Sequence, residues 1–429
     1  MIAGHRHRRV FAAVEAIGWY DRAIEAIGRL TSDARVLLLV ETALSRGEAC
    51  EQLGRFAEAH DDYERALEAA RQRPAGSREW LESRALAALV HVLWNEDNYS
   101  EAEALLPQAL AAASAQGVHF VVSQLWYTAG SMAFGQGDWA RARSSHRQAL
   151  EVATAAGDLE VEALARHGLT ETGSITGPFD EALSEALEAD RLLRSLGQRP
   201  MVHHNEYMTA QLQWLLGNRD AAARTAESAV AGCRDVGNRR DEAFALTNLS
   251  IIDVSRGDLG RARGGADQAV EISAEVDSPR LELMVRCWGS WVFGELREHE
   301  RVEDDVQIAR EIADALGGQF LGAPVAAAWG WVLARRGAIE EAQAAFARAS
   351  DLAGDAAFEI LWSLAFELMC WEELGDGAAL ANAAWRLLDA ARDRSPVQDP
   401  LAAHSTFPSV SPRTFTRQLG NANWSAPLH

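Results

Sequence analysis

Residues 47–66 read GEACEQLGRFAEAHDDYERA, and this stretch decides the fold. Small and aromatic side chains stand at set intervals along it, at Gly47, Phe56, Ala59, Tyr63 and Ala66. Two helices joined by a tight turn at Gly54 need this arrangement, because small residues let paired helices approach while aromatic rings fill the space between neighbouring pairs. The stretch therefore predicts a helical hairpin.

The hairpin pattern recurs along the chain at a fixed phase. Five residues after each predicted turn the sequence has Ala23, Ala59, Ala102, Ala142, Ala182, Ala222, Ala262, Val302, Ala342 and Leu380. Seven residues later it has Leu30, Ala66, Ala109, Ala149, Ala189, Ala229, Ala269, Ala309, Ala349 and Leu387. An alanine-rich composition does not by itself produce two columns in phase, so the chain is a repeat array.

Turn residues set the period of the array. The predicted turns lie at Gly18, Gly54, Asp97, Gly137, Gly177, Gly217, Gly257, Arg297, Gly337 and Gly375. A second series is expected to end the second helix of each repeat with a positive φ, at Gly117, Gly157, Gly197, Gly237 and Gly317. In one repeat Asp277, Ser278 and Pro279 make this break instead. Both series have a period of about 40 residues.

Small residues at helix contacts with an aromatic residue between them resemble the tetratricopeptide repeat. The usual period of that family is about 34 residues, so each unit here has roughly 1.7 additional helical turns. Long repeats with phrases such as DVGNRRDEAFALTNLS at 235–250 are similar to the arms of bacterial signalling ATPases and cyclase-linked regulators, and to kinesin light chains. The resemblance implies an all-α, right-handed superhelical solenoid of antiparallel helix pairs.

Three regions are expected along the chain. Residues 1–30 form a partial N-terminal repeat or cap, residues 31–392 form an array of about nine repeats, and residues 393–429 form a disordered tail rich in proline and serine. Two interpretations of the start remain open, a frayed cap or a fragment of a longer protein. The oligomeric state is not indicated.

Composition excludes several classes of partner. With 62 acidic and 41 basic residues the net charge is −21, which disfavours nucleic acid as a ligand. No apolar run approaches the ~20 residues that span a membrane, and the start lacks a secretory signal. The four cysteines have no metal-type spacing and are expected in the core. We expect a cytoplasmic protein.

Motifs for catalysis, cofactors or metals are missing from the sequence. It contains no GxxxxGK[ST], GxGxxG, HExxH or GxSxG. Adjacent His203 and His204 point to different faces of a helix and do not suit one metal ion. The run His60, Asp61 and Asp62 is interpreted as a solvated face. We therefore predict a non-enzymatic protein with no catalytic residues, no cofactor and no metal.

The resemblance places a binding groove on the first helix of each repeat, 10, 6 and 3 residues before the turn. The candidate groove residues are His91, Trp94, Tyr127, Ser131, Phe134, His167, Glu171, Tyr207, Gln211, Trp214, Trp291 and Trp331. Aromatic rings hold side-chain anchors of a peptide, while neutral polar groups hydrogen-bond its backbone. For Trp291 and Trp331, packing between repeats remains an equal alternative.

Two functions fit such a groove. The first is a scaffold that binds a protein or peptide segment, as a regulatory arm in signalling or transcription control. The alternative is a small-molecule sensor, in which the same aromatic residues enclose a metabolite in a deep, closed pocket. The Lys, Arg and Asn residues with which chaperone-type members hold a C-terminal carboxylate do not occur at the candidate positions, so that ligand is not expected.

Overall fold

The computed structural model describes residues 2–30, 34–51, 53–73, 78–96, 98–276, 278–316, 322–354 and 356–392, with side chains within 14–387 of these ranges. Every regular element in them is an α-helix. In chain order the helices are α1 Ile2–Gly28, α2 Ala34–Glu51, α3 Phe56–Arg71, α4 Arg78–Asn95, α5 Tyr99–Ala115, α6 His119–Gly135, α7 Trp139–Ala156, α8 Leu159–Thr176, α9 Phe179–Ser195, α10 Arg199–Leu215, α11 Arg219–Val236, α12 Arg239–Arg256, α13 Leu259–Glu275, α14 Pro279–Glu295, α15 His299–Ala315, α16 Gly322–Arg335, α17 Ile339–Ala353, α18 Ala357–Leu374 and α19 Gly377–Arg392. The all-α prediction is confirmed, whereas the tail expected at 393–429 lies outside the described residues.

The helices form two compact units, Met1–Leu169 and Thr170–His429. From α2 to α19, even-numbered helices are the first and odd-numbered helices the second of each repeat. In unit 1, α2 packs on α3, α4 on α5 and α6 on α7, and the first helices α2, α4 and α6 pack on one another. Unit 2 repeats this arrangement from α10/α11 to α18/α19. Each unit is thus a stack of antiparallel helix pairs, as predicted. The boundaries of the three regions expected from the sequence, at residues 30 and 392, stay predictions.

The two predicted columns form the contact between paired helices. From Ala59 and Ala66 onward, every member of both columns is buried. Gly47 in α2 lies directly against the ring of Tyr63 in α3, so a methyl group at Gly47 would clash with it. The same repeat position holds Gly130, where an added Cβ would lie 2.5 Å from the ring of His146. Small residues on the first helix therefore receive large ones from the second.

Turn geometry follows the glycine series. Positive φ angles occur at predicted turns and helix ends, namely Gly54, Gly117, Gly137, Gly157, Gly177, Gly197, Gly217, Gly237, Gly257, Gly337 and Gly375. Arg297 adopts φ 60° at the turn where the series has no glycine. Ser278 caps α14 by accepting a hydrogen bond from the backbone N–H of Leu281. The turn predicted at Asp97 and the helix end predicted at Gly317 lie outside the described residues.

The turn predicted at Gly18 is wrong. Helix α1 runs unbroken from Ile2 to Gly28. A Cβ added at Gly18 would meet no atom within 4 Å, so packing does not require a glycine there. The corresponding column members confirm this difference, because Ala23 is only half-buried and Leu30 is exposed. A glycine inside a run of good helix formers costs about 1 kcal/mol and does not end the helix by itself.

An aromatic core lies inside unit 2. Trp362 of α18 stacks on Trp214 of α10 with ring centroids 6.2 Å apart, and meets Trp291 of α14 edge to face at 5.5 Å. Helices α10 and α18 belong to pairs that are four repeats apart. In unit 2 the first helices therefore contact one another well beyond nearest neighbours.

The four cysteines are free thiols and all are buried, which confirms the predicted core location. Within the described residues, no helix is long and apolar enough to cross a membrane.

Candidate functional site

All candidate groove residues lie on first helices, and burial divides them into two groups. Half-buried side chains with solvent-facing surface are His91, Trp94, Tyr127, Ser131, Phe134, Glu171 and Tyr207. Fully packed side chains are His167, Gln211, Trp214, Trp291 and Trp331. Only the first group presents atoms to a ligand in this conformation.

In unit 1 the first group lies at equivalent repeat positions on α4 and α6, two helices that pack on each other. We name it the His91 face, after its members His91, Trp94, Tyr127, Ser131 and Phe134. The rings of His91 and Trp94 lie 5.5 Å apart at an angle of 58°. Nδ1 of His91 lies 3.3 Å from a carboxylate oxygen of Glu51 on α2. The imidazole is thus oriented by a carboxylate from the preceding repeat.

The α6 part of the His91 face is held by contacts with the second helix α7. Tyr127 packs on His146 with ring centroids 5.6 Å apart, and Phe134 meets Trp139 at 5.2 Å. The hydroxyl of Ser131 donates to the carbonyl of Tyr127 at 3.2 Å. The aromatic rings are therefore fixed on one side and exposed on the other, which limits the entropy that a ligand must overcome.

In unit 2 the half-buried candidates Glu171 and Tyr207 lie beside His204, which is not among the predicted groove residues. We name Glu171, His204, Tyr207 and Asp241 the His204 cluster; they come from α8, α10 and α12. Nδ1 of His204 lies 3.1 Å from Oδ2 of Asp241, and Nε2 lies 3.6 Å from Oε1 of Glu171. The ring of Tyr207 meets the imidazole edge to face at 4.9 Å.

Electrostatics fix the charge of the His204 imidazole. Burial lowers its pKa, but the hydrogen bonds to Asp241 and Glu171 outweigh burial and raise the pKa to about 9. His204 is therefore an imidazolium at neutral pH. For Asp241, burial raises the pKa, yet the bond to His204 brings it below its usual value. Burial also raises the pKa of Tyr207, so its hydroxyl stays protonated.

Local structure aims Asp241 at His204. Asn238 caps α12 by accepting a hydrogen bond from the backbone N–H of Asp241, and its side-chain amide donates to Oδ2 of Asp241 at 2.7 Å. His204 lies in the second turn of α10 and Asp241 in the first turn of α12. Both precede the positions 10, 6 and 3 residues before the turn, so that rule missed them. The Asn-x-x-Asp spacing at the start of α12 was the available signal.

The packed tryptophans have structural partners. Trp214 and Trp291 both contact Trp362 in the core of unit 2. The indole N–H of Trp331 donates to Glu373 of α18 at 3.1 Å. The burial of these side chains favours the packing alternative for Trp291 and Trp331. It favours packing for Trp214 as well.

The predictions for the two histidine-containing runs, at 203–204 and at 60–62, have different outcomes. His203 and His204 do face different neighbours, since His203 Nδ1 lies 2.8 Å from a carboxylate oxygen of Glu206 on its own helix. The solvated-face interpretation is wrong for Asp62, which is fully buried and paired with Arg46 at 2.5 Å. A buried carboxylate is tolerated there because the guanidinium compensates its charge.

Comparisons with known proteins agree with this architecture. The tetratricopeptide-repeat family model matches residues 40–73, which contain the helical hairpin predicted at 47–66. No curated protein matches the chain.

Three solved structures illustrate the likeness in fold. A Rap protein complexed with competence and sporulation factor has a TM-score of 0.56 at 14% identity, over 82% of this chain and 99% of that one. The apo form of the quorum sensor NprR from B. thuringiensis has a TM-score of 0.51 at 13% identity, over 89% and 97%. A signal transduction ATPase with numerous domains and a tetratricopeptide repeat sensor, from Pyrococcus horikoshii, has a TM-score of 0.51 at 17% identity; the alignment covers 66% of this chain and 45% of the ATPase.

Proposed function

We propose that this chain, whose fold is that of a tetratricopeptide-repeat array, is a non-enzymatic regulatory protein that binds a peptide or protein segment on its first helices. The observation that carries the proposal is the His91 face. Its rings and polar groups are half-exposed on two packed helices, whereas the tryptophans Trp214, Trp291 and Trp331 are packed away.

The chemistry of the His91 face suits a peptide. Trp94 and Tyr127 offer ring surface for an aromatic or aliphatic anchor, and truncating such anchors typically costs a complex 1 to 4 kcal/mol. His91 hydrogen-bonds a backbone amide or carbonyl while Glu51 keeps it oriented. In unit 2, the half-buried ring of Tyr207 and the half-buried carboxylate of Glu171 provide a second contact surface.

A role in signalling is part of the proposal. The Rap protein complexed with a sporulation factor, the quorum sensor NprR and the signal transduction ATPase share this fold. Likeness at this level of identity supports the fold alone, so the cytoplasmic location and the regulatory role rest on the expectation that this chain uses its fold in a similar way.

The test compares two variants of the same helix pair. Wild type immobilised on resin captures its partner from a lysate of the source organism, and the retained segment is then synthesised and titrated by calorimetry. A Trp94→Ala/Tyr127→Ala variant is expected to bind at least tenfold more weakly. Trp80→Ala is the matched control, because Trp80 is a tryptophan of α4 that is 41% exposed and lies outside the His91 face.

Equal binding by the double variant and by wild type, with both folded by circular dichroism, would exclude the His91 face. Retention of a metabolite and of no protein would favour the small-molecule sensor instead.

A further inference from the structure

Three side chains with the chemistry of metal ligands come together from the first helices α8 and α10. One ligand atom from each of His167, Glu171 and His204 lies within 4.8 Å of the other two. Imidazole nitrogens and carboxylate oxygens are ligands that zinc takes in proteins. Two histidines with one carboxylate therefore form a donor set for zinc, unlike a group of carboxylates alone.

Helix α8 supplies two of the three groups. His167 and Glu171 are four residues apart, so their side chains leave α8 on the same face, one turn from each other. Two ligands at this spacing on one helix are an established way of binding zinc. The regular helix alone thus keeps the pair together.

His204 of α10 completes the set. Its Nε2 lies 3.6 Å from Oε1 of Glu171. Two ligand atoms of a tetrahedral zinc ion are about 3.3 Å apart, since each lies roughly 2.0 to 2.1 Å from the metal. The observed separation therefore accommodates an ion with only small rotations of the side chains.

The other ring nitrogen of His204 is held as a metal-bound histidine requires. Nδ1 lies 3.1 Å from Oδ2 of Asp241, and the amide of Asn238 donates to the same carboxylate oxygen at 2.7 Å. Histidines that bind metals almost always donate their second ring N–H to a carboxylate, a carbonyl or water, which fixes the tautomer and the ring orientation. Asp241 thus directs Nε2 of His204 toward Glu171.

The burial of the three groups also suits an ion. His167 is buried, whereas Glu171 and His204 are half-buried, so the site is reached from solvent on one side only. Without metal, a proton on Nε2 of His204 faces the Glu171 carboxylate. A histidine ligand is neutral, so a bound metal ion takes the place of that proton.

We propose that His167, Glu171 and His204 hold a zinc ion, with Asp241 orienting the imidazole of His204. Three protein ligands leave the fourth tetrahedral position to a water molecule. The proposal replaces the expectation from the sequence that the chain has no metal. No motif within one helix records this site, because its third ligand comes from the first helix of the next repeat.

Isothermal titration calorimetry of the full chain with zinc chloride tests the site, after treatment with a chelator and removal of the chelator. We expect saturable binding of one zinc ion per chain. Glu171→Gln and His204→Gln are each expected to lose at least tenfold in affinity, and Asp241→Asn about tenfold. His203→Gln is the matched control and should bind zinc like wild type, because His203 is adjacent on α10 but contacts Glu206 instead.

Cobalt provides a second measurement that reports on the ligands themselves. Co²⁺ in the site should show the visible absorption of a tetrahedral ion, and this band should be lost in Glu171→Gln with the helical circular dichroism of wild type retained. Magnesium chloride should not compete, since Mg²⁺ prefers oxygen ligands in an octahedron.

The proposal is overturned if wild type does not bind zinc saturably, or if Glu171→Gln and His204→Gln bind it like wild type, which would place the ion at other histidines. Each of these results leaves the peptide proposal standing, because the His91 face on α4 and α6 carries that proposal.

Discussion

Residue pairs show how one repeat position tolerates different side chains. Gly47 accepts Tyr63, Gly130 accepts His146 and Gly330 accepts the ring of Phe346, each time across the same helix pair contact. In each pair a glycine on the first helix makes room for a ring on the second helix, so the combined volume stays similar while the ring type changes. The sequence predicted that small residues admit the partner helix. It did not show that a histidine takes the place of the aromatic residue.

His204 makes stability depend on pH in a specific direction. Its folded pKa is about 9, above the unpaired value of 6.5, so protonation stabilises the fold. This contribution is complete below pH 6.5 and is lost as the pH rises through about 9. His204→Gln is therefore expected to lower the free energy of unfolding by about 2 kcal/mol at pH 6. The difference from wild type should vanish near pH 10, as measured by urea unfolding.

His119→Gln is the control for the His204 experiment, since His119 is exposed on α6. It should leave the free energy of unfolding unchanged throughout the pH range. A loss in His204→Gln that is the same at pH 6 and pH 10 would show that His204 acts by packing and not by charge.

Helix elements are delimited by short signals that the sequence displays. Asp138, Asn238, Asp258 and Ser278 each cap the following helix with a side-chain oxygen. Left-handed glycines end helices where no side chain could do so without strain. Gly18 was mispredicted because the stretch from Gly18 to Leu30 aligns with the turn and second helix of the later repeats, while the local sequence continues α1 through Gly18.

Arg297 is the exception that allows a test of the turn element. An L-residue with φ 60° is strained by roughly 1 to 2 kcal/mol, and glycine removes that strain at some cost in chain entropy. Arg297→Gly is expected to stabilise unit 2 by about 0.5 to 1 kcal/mol, with a rise in Tm of about 1–3 °C by circular dichroism. Arg297→Ala removes the same charge but keeps the Cβ, so it should bring no such gain. An equal rise in both variants would mean that the charge, not the backbone, is responsible.

At the scale of the whole molecule, unit 2 differs from an ordinary repeat stack. Repeats in solenoids contact their neighbours only, and their stability is close to a sum of local terms. Here Trp362 joins α18 to α14 and α10 through direct ring contacts. The repeats of unit 2 should therefore unfold together.

Trp362→Ala tests this cooperativity. Removing a fully buried tryptophan is expected to cost about 3–5 kcal/mol, and the loss of the joining contact should broaden the urea transition. Trp385→Ala on α19 is the control, because its side chain is 43% exposed and its loss should cost under about 1 kcal/mol. A transition as sharp as that of wild type in Trp362→Ala would show that neighbour contacts suffice.

The sequence by itself determined the helical repeat, its phase, most turns and the buried alanine columns. These features depend on residues close along the chain, and the second helices have one apolar stripe that reveals their orientation. For the partner, the net charge of −21 gives only an expectation, that nucleic acid is disfavoured.

Tertiary structure alone decided which aromatic residues are core and which are surface. First helices such as α12 and α18 are buried almost all round, so they have no amphipathic stripe from which a groove could be read. Contacts between helices four repeats apart placed Trp214 in the core. The charge of His204 likewise depends on Asp241 and Glu171, which are brought to it from separate helices, and no local pattern records this.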